Sequence, residues 1–184
     1  MAKARSVFTE KTLVSLYYAF VYPYINYCIH VWGSTYQTHL NKLYLLQKRV
    51  VRIIAGVKRR THCKPFFDSL GILSLSNIFR YNVSLFMYKF YHEMLPRIYN
   101  IFQKNSDVHD YNTRQSEMLH LPKPNTEYGK PSFRYRGALI WNDILEKLDV
   151  NIKIGTVKKN LKKHLLKLMV LNYQYQLITP IFGV

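Results

Sequence analysis

Hydrolysis and phosphoryl transfer usually run through carboxylates. The chain has ten acids: Glu10, Asp68, Glu93, Asp107, Asp110, Glu117, Glu127, Asp143, Glu146 and Asp149. No two form the adjacent pair that would hold two catalytic metal ions. There is no glycine-rich phosphate loop and no Gly-x-Ser-x-Gly elbow. Cys28-x-His30 and His62-Cys63 offer two thiols and two imidazoles, but neither pair has zinc-finger spacing, so packing and capping explain them better. His109-Asp110-Tyr111 has the residue types of a general base. It sits in a polar segment, where hydrogen bonding or nucleic-acid contact is the simpler use. What recurs is positive charge among aromatics: Arg114, Lys123, Lys130, Arg134 and Arg136 stand between Tyr111, Tyr128, Phe133, Tyr135 and Trp141. Such cations contact phosphates and such rings stack on bases. Trp141 itself reads as core.

The elements that would position these residues are mostly helical. Thr9 is the expected N-cap of a first helix with Leu13, Leu16, Tyr17, Phe20 and Tyr24 on its apolar side, kinked or restarted at Pro23 and stopped at Gly33. A second helix runs from about Leu40 to Ala55 and ends at Gly56. Leu40, Leu43, Tyr44, Leu46, Gln47, Val50, Val51, Ile53 and Ile54 share one side of it, with Asn41, Lys42, Lys48, Arg49 and Arg52 opposite. Lys58, Arg59 and Arg60 follow, so six cations and no acid fall between positions 48 and 60. Cations in a last helical turn also suit the helix dipole.

A short helix from Pro65 to Leu70 stops at Gly71. Ser76 is the expected cap of a long apolar helix reaching Leu95, with Pro96 as its end. From about Gln103 to Gly137 the composition turns polar and rich in breakers, with Met118–Leu121 and Phe133–Tyr135 as candidate short strands. Helical signals return over Ala138–Leu148 and from a Thr156 cap to about Leu171. In the last helix Val157, Leu161, Leu165, Leu168 and Leu171 form a stripe, with Lys158, Lys159, Lys162, Lys163 and Lys167 opposite. Asn172–Leu177 alternates like a strand.

Composition narrows the class. The chain has 184 residues and 27 Lys and Arg against 10 Asp and Glu, a net +17. At 48% apolar residues it is not a disordered chain. The excess of charge calls for nucleic acid or an anionic membrane surface as partner. Two cysteines cannot staple a secreted scaffold, which fits a reducing, intracellular compartment. From Thr12 to Asn41 there is no charged residue, long enough for a membrane span. Pro23, Asn26, His30 and the tyrosines Tyr17, Tyr18, Tyr22, Tyr24 and Tyr27 argue against lipid.

Three blocks of residues carry a family resemblance: Leu16-Tyr17-Tyr18-Ala19-Phe20-Val21-Tyr22-Pro23-Tyr24-Ile25-Asn26-Tyr27-Cys28, then Val31-Trp32-Gly33, then Leu46-Gln47-Lys48-Arg49-Val50-Val51-Arg52-Ile53-Ile54. In this order they resemble the region after the polymerase palm in non-LTR, LINE-type retrotransposon reverse transcriptases of the jockey-like kind. His109-Asp110-Tyr111-Asn112-Thr113-Arg114 and Trp141-Asn142 resemble the C-terminal segment of the same proteins. The resemblance covers about positions 8–170. It implies a mainly α fold: a thumb-like helical bundle over 1–102, then a basic, loop-rich extension over 103–184 with a small β element and helices near 138–148 and 156–171.

The resemblance also implies a function and a limit. Thumbs of this family grip the template–primer duplex, which would place Lys48, Arg49, Arg52, Lys58, Arg59 and Arg60 on one track. Arg114, Arg134, Arg136, Lys158, Lys159, Lys162 and Lys163 would supply another. RNA or DNA is the expected partner, with the palm and fingers of the polymerase as a second. The Phe/Tyr-Ala-Asp-Asp motif that binds metal in the palm does not occur in this sequence, so no catalytic residue carries over. Magnesium belongs to that palm, and no cofactor is expected here. The chain reads as a carboxy-terminal remnant of such an element, starting at its own Met1. The competing readings are a degenerate or truncated product acting through protein contacts, and a membrane-associated module.

Overall fold

The computed structural model describes residues 3–96, 101–108, 114–126, 129 and 132–178, with backbone alone for Lys3 and for 169–178. His109-Asp110-Tyr111-Asn112-Thr113, Tyr128 and Lys130 lie outside the described residues. The fold is mainly α, and among the described residues no strand forms. The chain divides into two compact units. The first comprises 1–27, 37–78 and 162–184, and the second 28–36 and 79–161. The division therefore does not follow the expected boundary near 102. Phe102 is buried inside the second unit, its ring 5.2 Å from that of Phe90 and 5.9 Å from that of Phe133.

In the first unit a 3-10 turn, Lys3–Ser6, precedes helix α1, Glu10–Phe20. Thr9 caps α1 as its hydroxyl accepts from the Thr12 amide at 3.4 Å. Proline has no N–H to continue the ladder, so the helix breaks and restarts as α2, Tyr22–Asn26, with Pro23 in its first turn. Cys28 then takes a left-handed conformation, φ 49°, and begins α3, Ile29–Trp32, in the second unit. The uncharged stretch is thus cut into short helices before α4, Gln37–Ala55, begins. No helix among the described residues is long and apolar enough to cross a membrane. Phe20 and Tyr24, on the apolar side by helical spacing, are 67% and 83% exposed, and the helix breaks between them.

Helix α5, Lys64–Ser69, and the start of α6, Leu75–Tyr91, complete the first unit's core. Leu13, Tyr17, Val51, Ile54, Cys63, Phe67 and Ile72 pack as one buried cluster. Gln47 is buried with them and fully used. Its Nε2 donates to the Tyr17 hydroxyl and to the Leu73 carbonyl, both at 2.9 Å, and its Oε1 accepts from the Leu75 amide at 2.9 Å. A buried amide so satisfied costs little, and here it replaces a local cap. Helix α6 starts at Leu75, so Ser76 lies inside its first turn and not at its cap. Burial pushes the Tyr17 phenol up to about 12, with the Gln47 hydrogen bond acting the other way.

The second unit takes the rest of α6, then α7, Asn105–Val108, α8, Phe133–Leu145, and the first part of α9, Ile154–Ile178. Helix α6 stops at Tyr91, short of Pro96, where Glu93 turns left-handed at φ 53°. The expected β element reduces to one antiparallel bridge, Lys104 to Leu119. Phe133–Tyr135 is not a strand but the first turn of α8, because Ser132 caps it by accepting from the Tyr135 amide at 3.3 Å. Asn142 holds the 114–126 segment as a fork, accepting from the Leu119 amide at 3.0 Å and donating to its carbonyl at 2.9 Å. Trp141 is 1% exposed, as the core reading required. Helix α9 begins at Ile154, ahead of Thr156, and runs as helix through Asn172–Leu177, where alternation suggested a strand.

Candidate nucleic-acid interface

The cations of α4 differ in what holds them. Arg49 is exposed. Lys48 is half-buried, its ammonium 4.3 Å from the centre of the Tyr44 ring, and its carbonyl accepts from the Cys63 thiol at 3.2 Å. Burial pushes that thiol up, against the pull of the Arg52 and Lys48 charges, so it stays a donor. Arg52 is also half-buried, and its Nε donates to the Thr61 carbonyl at 2.7 Å.

The segment after α4 is a built turn. Gly56 adopts φ 69°, the Val57 amide donates to Arg52 O at 3.1 Å and the Gly56 amide to Ile53 O at 3.2 Å. These two bonds form a Schellman stop. The Thr61 amide then donates to Lys58 O at 3.0 Å, closing a four-residue turn with Arg59 and Arg60 at its centre. Lys58, Arg59 and Arg60 are all exposed. A side chain at Gly56 would run into the Arg5 guanidinium, 3.0 Å from its Cζ. Arg5 therefore lies on the carbonyl end of α4, where the helix dipole favours a cation. Sequence reading missed Arg5, since nothing in the spacing of a residue near the start points to a turn fifty positions on.

On α9, Lys163 and Lys167 are exposed, while Lys162 lies 5.5 Å from the Tyr18 ring centre and 3.4 Å from its hydroxyl. These belong to the first unit; Lys158 and Lys159, also exposed, belong to the second. Arg114, Arg134 and Arg136 are exposed on the second unit. There the structure also contains ion pairs: Arg80 with Asp143 at 3.2 Å, Lys147 with Asp143, and Lys104 with Glu117 at 2.7 Å. The Glu117 hydrogen bond raises the Lys104 pKa. Of the expected site residues, the structure joins Arg52 to the 58–61 turn and adds Arg5 to them.

By sequence, the first unit holds fourteen Lys and Arg against Glu10 and Asp68, a net +12, and the second thirteen against eight acids, a net +5. Among the described residues no group of three or more His, Cys, Asp or Glu could hold a metal ion. No family model matches the chain, and no curated protein or solved structure matches it.

Proposed function

We propose that this chain is thumb and post-thumb sequence of a non-LTR retrotransposon RNA-directed DNA polymerase, and that it binds RNA or DNA along the phosphate backbone without catalysing a reaction. The observation that carries the binding reading is the charge of the first unit, +12 with two acids, with Arg49, Lys58, Arg59, Arg60 and Lys163 exposed on it. The family origin rests on the ordered motifs quoted above. The mechanism is Coulombic attraction with counterion release, so affinity falls steeply with salt and little with sequence. A titration of labelled duplex at several salt concentrations tests it. A steep loss of affinity with salt is expected, and a parent protein that leaves duplex free at low salt overturns the reading.

A second reading has its own observation. Phe20, Tyr24 and Tyr27 are 67%, 83% and 77% exposed, an aromatic surface suited to a protein partner such as the palm and fingers. Size-exclusion chromatography separates the two readings. A monomer that binds duplex supports the first, and salt-insensitive self-association without duplex binding supports an interaction module.

A further inference from the structure

We propose that the turn Lys58–Thr61, together with Arg5, is a preformed site for a nucleic-acid phosphodiester, and that Arg52 positions this site without touching the ligand. The inference rests on the nucleic-acid reading and says where and how the grip is made. Three observations converge on one place. The Schellman stop at Gly56 fixes the direction in which the chain leaves α4. The 2.7 Å bond from Arg52 Nε to Thr61 O and the 3.0 Å bond from Thr61 N to Lys58 O fix the turn itself. Arg5, from a segment far away in sequence, lies on Gly56 at the root of the same turn.

The consequence is pre-organisation. Arg59 and Arg60 occupy the two central positions of a turn closed at both ends, so less backbone freedom is lost when they meet an anion. A guanidinium offers planar, paired N–H groups that match two phosphate oxygens, which suits Arg5, Arg59 and Arg60 better than lysines would. Lys58 adds a point charge. On α4 the Tyr44 ring is covered by the Lys48 ammonium and stacked at 6.2 Å on Phe67. Arg5, Lys58, Arg59 and Arg60 thus offer phosphate contacts, which carry no sequence information.

Arg52 differs from the others. It is half-buried and its Nε is spent on a carbonyl of the protein. Removing it frees the turn, so its effect on binding passes through Arg59 and Arg60.

The full-length chain with a short labelled DNA duplex tests the proposal. Arg59→Ala with Arg60→Ala changes two exposed turn positions that touch no core. It is expected to weaken binding about tenfold and to reduce the log–log salt slope by about two. Arg52→Gln keeps an N–H donor for Thr61 O and is expected to bind within about twofold of the parent with an unchanged slope. Arg52→Leu keeps no donor and is expected to bind about fivefold more weakly, the weight of one hydrogen bond. Circular dichroism of each variant shows whether the helices persist.

If the Arg59/Arg60 variant binds like the parent while the parent binds duplex steeply with salt, the site is not here and the broader reading stands. If Arg52→Gln loses one unit of slope, Arg52 contacts phosphate and its positioning role is wrong. Anionic vesicles that bind the parent with the same dependence on Arg59 and Arg60, while duplex does not, would make the ligand a membrane surface and overturn both proposals.

Discussion

The first unit carries fourteen Lys and Arg against two acids, and the second carries thirteen against eight. The second pairs cations with its own carboxylates, as in Arg80–Asp143–Lys147 and Lys104–Glu117. In the first, cations are held by neutral groups instead: Lys48 by the Tyr44 ring, Lys162 by Tyr18, Arg52 by the Thr61 carbonyl. A carboxylate partner cancels a charge, whereas a ring or a carbonyl fixes it in place and leaves the field intact. The same residue type thus serves internal cohesion in one unit and, under the binding we propose, an external anion in the other.

The sharpest way to break that comparison is to damage one core at a time. Phe67→Ala in the first unit and Trp141→Ala in the second each remove a fully buried ring and are expected to cost about 3–5 kcal/mol. Thermal denaturation with a filter-binding assay on the same samples reads both effects. Phe67→Ala should abolish salt-dependent duplex binding along with the first unit's fold. Trp141→Ala should leave the salt slope of the remaining folded molecules unchanged. A slope flattened by Trp141→Ala would show that the second unit supplies the phosphate contacts.

Next in size is Gln47→Leu, which keeps much of the volume and removes three hydrogen bonds. It leaves the Leu73 carbonyl and Leu75 amide buried without a partner, and is expected to cost about 2–4 kcal/mol. Urea titration followed by circular dichroism measures it. A loss below about 1 kcal/mol would mean that water reaches those groups and that Gln47 does not set the start of α6.

Gln47 also shows where sequence reading stopped. Its placement on the buried side of α4 follows from helical spacing, as do Val51 and Ile54. Its job does not, because the Leu75 amide it caps is brought to it only by the tertiary fold. For the same reason Ser76 reads as a cap in the sequence and is none in the structure. The polar stretch after Gln103 misled in the opposite way. Phe133–Tyr135 has strand-like residue types, but Ser132 supplies a cap and Gly137, Ala138, Trp141 and Ile144 continue the helical spacing. In the candidate site, Lys58, Arg59 and Arg60 are legible as a charge run. The rigidity of their turn and the arrival of Arg5 depend on contacts between distant segments that composition cannot encode.

A smaller effect separates the units by pH. The Tyr17 phenol lies near 12 in the folded chain against an ordinary 10, so folding favours its protonated form. Its contribution is complete below pH 10 and is lost as pH rises toward 12, with a ceiling of about 3 kcal/mol. Tyr17→Phe should flatten that part of the stability profile relative to the parent. Both tryptophans, Trp32 and Trp141, belong to the second unit, so fluorescence follows that unit while circular dichroism follows all the helices. An alkaline loss that survives unchanged in Tyr17→Phe would assign it to other groups.

The smallest effect tests the electrostatic contrast most directly. Asp143 faces Arg80 and Lys147, and all three side chains are about a third or more exposed. Solvent screens such pairs, so Asp143→Asn is expected to cost less than about 1 kcal/mol. Its sign under salt is the useful quantity. Added salt weakens the ion pairs of the second unit, and it relieves self-repulsion in a first unit of net +12. Hydrogen exchange should therefore show amides of α4 and α5 gaining protection as salt rises, while those around Asp143 in α8 gain none. In Asp143→Asn the α8 amides should lose their salt response and α4 should keep its own. If both units respond alike in the parent, the uneven charge has no energetic consequence, and holding cations on rings and carbonyls would be incidental to binding.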